Sequence, residues 1–411
     1  MGINSIYGVF QEFYTSPETN IVDAQGQDAL VSLVGTLGYG LTWGGGIFVN
    51  PLIVRVKNLK IITLTGTTVM SLGLILASFS TRLWHLFLTQ AIMYGLGATF
   101  LYFTIMSLAP QFYDRNRGFA MGFILSGIGV GGLVLAPTIH ALIQSVGIRW
   151  TLRILGLWTF VMMAPVACVP RHPPGFEARR RGGPGGTRLN ASLLKRGTFV
   201  AQSVGCFLQA AGNIVPLFYL TTFSTSVLQY SASTGSLLLA LNNAVNSVAR
   251  ILMGLLADRV GRQNTLVISV LLSSISVLAL WYNASQARFI AFVVLYGVLA
   301  GGYNALLPTT ISEVYGIQNY NAVNGSIYFL RGLGAIVGPP IAGAILGSHS
   351  RGTVISSTSG IGSTSPALAA LEEKYNDLVI YTGMLLVGAS FCVAYVRWGD
   401  AKEKGKWQWK A

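Results

Sequence analysis

Long apolar runs separated by short polar segments fill most of this chain of 411 residues. A helix needs about 20 mostly apolar residues to cross a bilayer. Eleven runs are close to that length or longer, so the pattern predicts an all-α polytopic membrane protein. The predicted spans are 29–53, 61–80, 84–110, 118–143, 150–169, 198–223, 233–256, 265–282, 289–312, 322–346 and 378–396.

The charge of the chain supports this interpretation and gives an orientation. Charged residues make up 10% of the sequence, against roughly 25% in soluble domains, which is too few to cover a water-facing surface. If the loops alternate between sides, one side takes 19 of the 27 basic residues and the other takes six. The positive-inside rule makes the richer side, with the C-terminus, cytoplasmic. The net charge of +14 is therefore interpreted as basic residues in loops that set the membrane orientation. We expect no nucleic-acid partner.

A basic segment divides the spans into two groups. Residues 170–197 are rich in Pro, Gly and Arg, a composition typical of a flexible linker. The prediction is an N-terminal helix bundle over 1–169, a cytoplasmic linker over 170–197, a C-terminal bundle over 198–396 and a cytoplasmic basic tail over 397–411. A second polar segment, 347–376, is rich in Ser, Thr and Gly and is expected on the outside.

A charged turn lies between two of the predicted spans and reads Gly254-Leu-Leu-Ala-Asp258-Arg259-Val-Gly261-Arg262. Gly254 allows close helix packing and Gly261 permits a tight reversal. The carboxylate and the arginines can clamp helix ends by charge-assisted hydrogen bonds. The segment resembles the short cytoplasmic loop motif of the major facilitator superfamily of transporters. The alternative is a solvated turn with ordinary interfacial charges.

Other segments resemble the fungal monocarboxylate porters of that superfamily. The segment from Ile3 to Tyr14 is similar to the outer half of their first helix. The basic turn with Arg115 and Arg117 leads into a glycine-rich helix, as it does in that family. The resemblance implies two six-helix bundles around a cavity that opens alternately to the two sides.

The first helix departs from the family pattern. Residues 1–14 cannot cross about 30 Å of hydrocarbon at 1.5 Å per residue. They also lack the basic start and the cleavage site of a signal peptide. The family's first helix normally begins before the position of Met1. We expect eleven full spans and a truncated first helix, either because the start codon was assigned too late or because this is a truncated copy.

Two arginines are predicted deep in the membrane, where ionisable residues are expensive and usually functional. Arg250 lies eight residues before Asp258, about 12 Å from the membrane edge at 1.5 Å per residue. Arg331 lies at a similar depth in 322–346. The resemblance implies that both helices line one cavity. Two guanidinium groups facing one cavity predict an anionic ligand, such as a carboxylate held by bidentate hydrogen bonds.

Polar neighbours repeat every three or four residues beside each arginine and so share its helix face. The predicted substrate-binding residues are Asn242, Asn246, Arg250, Asn324, Tyr328 and Arg331. The alternative is that the arginines extend to the interface or bind backbone carbonyls. Tyr303 and Asn304 rank lower as cavity-lining residues, and Trp43 and Phe103 are interpreted as helix packing.

The sequence therefore predicts a secondary active or facilitative transporter of a small organic anion, most simply a monocarboxylate. Efflux of a fungal secondary metabolite is one alternative, and a non-transporting sensor or inactive copy is another. The expected partners are the transported molecule and the lipid bilayer. No acidic residue is predicted in the middle of a span, so a coupled proton would travel on the substrate acid.

The remaining expectations are negative or concern location. We predict no enzymatic activity, because the sequence has no nucleophile elbow and no phosphate-binding glycine loop. We expect no cofactor and no metal ion. The chain is predicted to be a monomer in the plasma membrane.

Overall fold

The computed structural model describes residues 2–16, 19, 21–25, 27–56, 58–112, 117–171, 191–316, 319–348 and 366–405. These ranges are helical apart from short turns and contain no β-strand. The helices are α1 (Gly2–Ser5 and Tyr7–Thr15), α2 (Asp28–Gly44 and Gly46–Arg55), α3 (Leu59–Ala77), α4 (Leu83–Leu86, Phe87–Met93 and Tyr94–Phe112), α5 and α6 (together Arg117–Ala167), α7 (Gly197–Ser226), α8 (Ala232–Val260), α9 (Arg262–Ser276 and Val277–Trp281), α10 (Gln286–Tyr315), α11 (Tyr320–Ser348) and α12 (Pro366–Glu403). Two short helices, Val22–Ala24 and Ala191–Leu194, lie in the connections.

The eleven predicted spans all occur as helices. Nine helices in the described ranges are long and apolar enough to cross a membrane. One of the nine, Phe119–Ala167, contains both α5 and α6. The helix α2 is interrupted at Gly45, so its first part, Asp28–Gly44, has only 17 residues. The all-α polytopic prediction is therefore confirmed, with α1 as the short N-terminal helix.

Two predicted boundaries were wrong. A loop was expected between 143 and 150, but α5 and α6 are separated only at Gly147, whose φ of 78° is open to glycine at little steric cost. The last span was expected from 378, but α12 begins at Pro366 and takes up the end of the polar segment 347–376. Most of the predicted linker, 172–190, lies outside the described residues.

Local signals in the sequence set the ends of α8. Ser231 caps its start, because the Ser231 Oγ accepts a hydrogen bond from the backbone N–H of Thr234 at 3.2 Å. Gly261 ends the helix with a φ of 115°, and α9 begins at the next residue. The turn between α8 and α9 is therefore as short as the glycine in the motif predicts.

Close contacts join the N-terminal half, α1–α6, to the C-terminal half, α7–α12. The most extensive are between α5 and α8 and between α2 and α11. A Cβ added at Gly332 of α11 would lie 2.5 Å from the carbonyl oxygen of Gly40 and 2.7 Å from the Cα of Gly44 on α2. Small residues thus let the backbones approach closely, as helices in lipid require.

Large apolar side chains cover the outer surface of the bundle. Examples are Phe48, which is 74% exposed, Phe391, which is 72% exposed, and Phe123, which is 63% exposed. Exposed apolar patches of this kind mark contact with another apolar phase. The bundle therefore presents a lipid-facing surface, and its polar chemistry lies in the interior and at the helix ends.

Candidate functional site

Arg331 lies in the middle of α11, and the residue is only 3% exposed. Its guanidinium carbon lies 4.2 Å from the ring centroid of Trp43, 5.4 Å from that of Tyr328 and 5.6 Å from that of Tyr303. The Nη2 group donates to the Asn304 Oδ1, whereas Nη1 has no hydrogen-bond partner. Buried arginines are usually paired with carboxylates. In the described part of the chain, however, no ion pair includes Arg331.

Four aromatic rings from both halves pack together beside this guanidinium and form what we call the aromatic cluster, of which Trp43 and Tyr328 contact the guanidinium directly. Its members are Trp43 of α2, Tyr102 and Phe103 of α4, and Tyr328 of α11. The Trp43 centroid lies 4.9 Å from that of Tyr102 and 5.5 Å from that of Tyr328, and Phe103 lies 5.9 Å from Tyr328. The planes of Trp43 and Tyr328 are inclined by only 24°. The cluster therefore bridges the two halves beside Arg331.

Buried polar atoms without hydrogen-bond partners collect around the aromatic cluster. They are Trp43 Nε1, Tyr102 Oη, Tyr328 Oη, Asn324 Oδ1 and Arg331 Nη1. Leaving a buried polar group unpaired costs about 1–3 kcal/mol, so a native structure rarely keeps several together without a use. Indole and guanidinium nitrogens can only donate. The indole and guanidinium donors therefore favour a ligand rich in hydrogen-bond acceptors.

Arg250 of α8 lies at the contact between the two halves and is 6% exposed. Its Nη1 donates to the backbone oxygen of Leu125 on α5 at 2.6 Å, and its Nε has no partner. Arg250 and Arg331 interact electrostatically with each other and share Tyr39 as a neighbour. Both charges therefore lie in the interior of the bundle, near enough to influence each other. Arg250 also donates to a backbone carbonyl, as the alternative interpretation of the sequence expected.

Asn242 and Asn246 hold α8 against α10. The Asn242 Nδ2 donates to the backbone oxygen of Val293 at 2.8 Å, and the Asn246 Nδ2 donates to that of Gly297 at 3.1 Å. Because these amides are used between helices, they differ from Asn324 and Tyr328, whose side-chain oxygens are unpaired. The four neutral predicted binding residues thus divide into a pair on α11 with unpaired oxygens and a hydrogen-bonded pair on α8, whereas each arginine has one bonded and one unpaired nitrogen.

The charged turn after α8 contacts α5 of the other half. The Asp258 Oδ2 accepts a hydrogen bond from the backbone N–H of Phe119 at 3.1 Å, and its Oδ1 accepts from Nη2 of Arg262 at 3.1 Å. The N–H groups in the first turn of a helix have no partner within the helix, and they favour a negative charge. Asp258 therefore caps α5 from α8, at the end of the bundle that we call the basic end.

The other residues of the two predicted loop motifs are placed as follows. Gly254 is buried and Arg259 is exposed. Arg117 is the first residue of α5, and Arg115 lies outside the described residues.

A polar layer beside the turn joins helices of the C-terminal half. The Gln263 Nε2 donates to the Oδ2 of Asp400 at 2.8 Å and to the Oε1 of Glu313 at 3.1 Å. Arg262 approaches the Oε2 of Glu313 at 3.8 Å. These acids are occupied by neutral or basic partners, and the described ranges hold no group of three or more His, Cys, Asp or Glu side chains arranged for a metal ion.

Sequence reasoning did not identify the aromatic cluster, in which Trp43 contacts Arg331 and Phe103 packs on Tyr328. Trp43 and Phe103 were interpreted as helix packing, and Tyr102 was not singled out. Their spacing on α2 and α4 is that of any apolar helix, so nothing local separates a ring beside a cation from a ring in a core. The pair Tyr303 and Asn304 was ranked low, yet both contact Arg331.

The fold and the site together define a class: a polytopic helical carrier whose two halves meet around a buried charge. The Major Facilitator Superfamily profile matches residues 3–339, and the chain belongs to that superfamily. It is 29% identical to the MFS-type transporter pynF of Aspergillus niger, over 98% of this chain and 86% of that protein. It is 26% identical to an agnestins efflux protein of Paecilomyces divaricatus, over 84% of this chain and 77% of that protein. The matched proteins are named as transporters rather than as enzymes.

A solved structure gives the same architecture. A bacterial homolog of the human lysosomal transporter Spinster, in an inward-facing and occupied conformation, matches with a TM-score of 0.62. The match covers 99% of this chain and 97% of that one, at 14% sequence identity. At that identity the likeness concerns the fold alone. Together with the family match, this fold makes the chain a multi-pass membrane transporter of the major facilitator type.

Proposed function

We propose that this chain carries an organic anion across the membrane by alternating access and binds it at Arg331. The observation that carries the proposal is the buried guanidinium, which has no carboxylate partner in the described part of the chain and keeps Nη1 unpaired. A bound anion stabilises such a cation through charge-assisted hydrogen bonds. On the same face of α11, the unpaired Tyr328 hydroxyl can donate to the anion, and the unpaired Asn324 Oδ1 can accept from a hydroxyl group of the ligand.

Contacts at both ends of the bundle support a closed state in which the site is buried. At the basic end, Asp258 joins α8 to α5. At the opposite end, the Thr221 Oγ1 of α7 donates to the backbone oxygen of Gly8 on α1 at 3.4 Å. The aromatic cluster joins the halves between these two contacts. Opening one end at a time would expose Arg331 to one side of the membrane, which is the essence of alternating access.

In this proposal Arg250 acts beside the ligand rather than as its main contact. Its hydrogen bond to Leu125 links α8 to α5, and its charge strengthens the positive potential around Arg331. Asn242 and Asn246 keep α8 against α10 and do not touch the ligand. The direct ligand contacts that we assign are Arg331, Tyr328 and Asn324.

The topology that we propose follows the charge distribution. The basic end, with the C-terminus, lies in the cytoplasm under the positive-inside rule. The bundles are 1–169 and 198–396, joined by 170–197 and followed by the tail 397–411. The chain acts as a monomer in the plasma membrane, and a coupled proton would travel on the substrate acid.

Export of a fungal metabolite is the second candidate, and the names of relatives favour it over uptake of a small monocarboxylate. One matched protein is named an efflux protein for agnestins. Export and anion binding are compatible, because a metabolite with an acidic group satisfies both. The direction of transport is therefore proposed from the relatives, and the charge of the substrate from the site.

Counterflow into proteoliposomes tests the proposal, with radiolabelled pyruvate and benzoate as probes. Arg331→Gln is expected to lower the flux at least tenfold, since a hydrogen bond to a charged group contributes about 1.5–3 kcal/mol. The matched control is Arg153→Gln, because Arg153 also lies over aromatic rings, 4.7 Å from Phe79 and 4.8 Å from Trp150, but within the N-terminal half. Equal flux through the Arg331 variant and the unchanged protein, or no anion flux at all, would contradict the proposal.

A further inference from the structure

The aromatic cluster gives the proposed anion site two ring-bearing walls, one from each half. Trp43, Tyr102 and Phe103 come from the N-terminal half, and Tyr328 comes from the C-terminal half. Trp43 is 2% exposed, Tyr328 is 1% exposed and Phe103 is fully buried. A site for a small aliphatic acid needs only a cation and hydrogen-bond donors, so four rings exceed what such a ligand would use.

The geometry of two of these rings suits a flat guest. Trp43 and Tyr328 are near parallel, with centroids 5.5 Å apart and planes inclined by 24°. A planar ring that makes carbon contacts of about 3.5–4.0 Å on each face needs roughly 7–8 Å between the walls. Because the two rings belong to different halves, a widening of at least about 2 Å as the halves part would create a slot of that width between Trp43 and Tyr328. Arg331, which lies over Trp43 at 4.2 Å, would then face the edge of the guest.

The polar atoms at the slot define the other part of the guest. Arg331 Nη1 and Trp43 Nε1 are unpaired and can only donate, and the Tyr102 and Tyr328 hydroxyls are unpaired beside them. A carboxylate, or the oxygen anion of an acidic phenol or enol, accepts from several such donors at once. An aliphatic acid would satisfy these donors as well but would leave the ring faces without a partner.

We propose that the transported anion carries a flat, conjugated ring system next to its acidic group, and that Trp43 and Tyr328 bind this ring by stacking. The inference rests on the proposed function, because it names the substrate class of the Arg331 site. An aromatic acid is bound both by its charge and by its π face. A saturated acid of the same size and charge is bound by its charge alone.

Competition binding to the purified full-length chain in nanodiscs tests this inference. The probe is radiolabelled benzoate, displaced by unlabelled benzoate or by cyclohexanecarboxylate, which has the same carbon skeleton and charge but is neither flat nor aromatic. Benzoate is expected to bind at least tenfold more tightly, about 1.4 kcal/mol. Equal affinities of the two acids for the unchanged protein would overturn the inference by themselves.

Substitutions then assign the preference to the slot. Trp43→Leu is expected to reduce the ratio of the two affinities to near one, and Tyr328→Leu to reduce it at least threefold. Trp43→Phe retains a ring and is expected to keep most of the preference. The matched control is Trp281→Leu, because Trp281 is equally buried and stacks on Phe292 at 5.1 Å outside the site. A preference unchanged in both Trp43→Leu and Tyr328→Leu would refute the assignment.

The same measurements separate this inference from the proposed function. If both acids bind equally well and Arg331→Gln abolishes the binding of both, the anion site stands and the aromatic preference is wrong. If neither acid binds, the proposed function itself fails. Variants that do not elute as a single peak in gel filtration are set aside, and the ratio in the unchanged protein then decides.

Discussion

The contact between Asp258 and α5 predicts a measurable shift between closed and open states. Of the hydrogen bonds that Asp258 accepts within the described part of the chain, only the one from Phe119 crosses the two halves, whereas the bonds from Arg262 lie within the C-terminal half. Opening of the basic end therefore breaks the first bond and leaves the others. Only the first contributes to the difference in free energy between the two states.

The magnitude follows from the burial of the carboxylate. A hydrogen bond to a charged group contributes about 1.5–3 kcal/mol, and a charge at an exposed helix start contributes about 0.3–1 kcal/mol. The Asp258 side chain is 16% exposed, so the contact falls between these values, at about 1–2 kcal/mol. Asp258→Ala should therefore raise the population open at the basic end by a factor of about 5–30. Asp258→Asn, which keeps an acceptor but loses the charge, should give a smaller increase.

The assay is the alkylation rate of a single cysteine at the contact between α5 and α8. Ser126 is suitable, because it is 7% exposed and its backbone oxygen accepts from the Ser247 Oγ at 2.8 Å. The Ser126→Cys reporter is placed in a chain whose three native cysteines are serine, reconstituted in nanodiscs and treated with a charged thiol reagent. The rate is expected to rise fivefold to thirtyfold in Asp258→Ala.

A matched acid shows whether the effect depends on the crossing contact. Glu313 is 21% exposed at the same end and approaches Arg262, but both residues belong to the C-terminal half. Glu313→Ala should therefore leave the alkylation rate within about twofold of the reference. A surface ion pair contributes only about 0–1 kcal/mol, and the pair between Glu313 and Arg262 is present in both the closed and the open state, so its loss affects both states alike. Equal rates in Asp258→Ala and the reference would refute the view that Asp258 closes the basic end.

Two further predictions concern the interior. Arg250→Gln is expected to weaken benzoate binding less than Arg331→Gln does, because Arg250 acts on the ligand only through the electrostatic field of its charge. That field contributes about 1–2 kcal/mol to binding at an effective dielectric constant of about 20. Equal losses of affinity in competition binding would contradict the assignment of Arg331 as the direct contact. Gly332→Val should abolish counterflow and lower the melting temperature, since a Cβ there would lie 2.5 Å from the Gly40 oxygen. Its control is Gly127→Val, where an added Cβ meets nothing within 4 Å, and similar damage in both variants would count against the close α2–α11 contact.

The helices were predictable because a bilayer imposes one requirement on every span. About 20 apolar residues are needed wherever the chain crosses, and backbone groups in lipid must be satisfied within the helix. For example, the first full span was predicted to start at residue 29, and α2 begins one residue earlier, at Asp28. Gly261 at the turn likewise has the positive φ that a tight reversal requires. The merging of α5 and α6 at Gly147 was not predictable, since a single glycine does not show whether it breaks a helix or packs against one.

The candidate site was predictable only in part, and the reason is physical. Sequence spacing on one helix shows which residues share a face, so Asn324, Tyr328 and Arg331 could be grouped on α11. The partner that a side chain meets on another helix is fixed by the packing of the bundle. The amides of Asn242 and Asn246 follow the same spacing rule, yet the bundle places them against backbone carbonyls of α10.

Local sequence patterns were enough to indicate a polytopic helical membrane protein with a charged turn at one end and two buried arginines, because hydrocarbon length, backbone satisfaction and the cost of buried charge act on local sequence. The packing of the helices was needed to show that Trp43 stacks on Arg331, that Asp258 caps α5 and that Arg250 reaches Leu125. These contacts join residues more than 100 positions apart. They depend on how the two halves of the bundle meet, which no local pattern specifies.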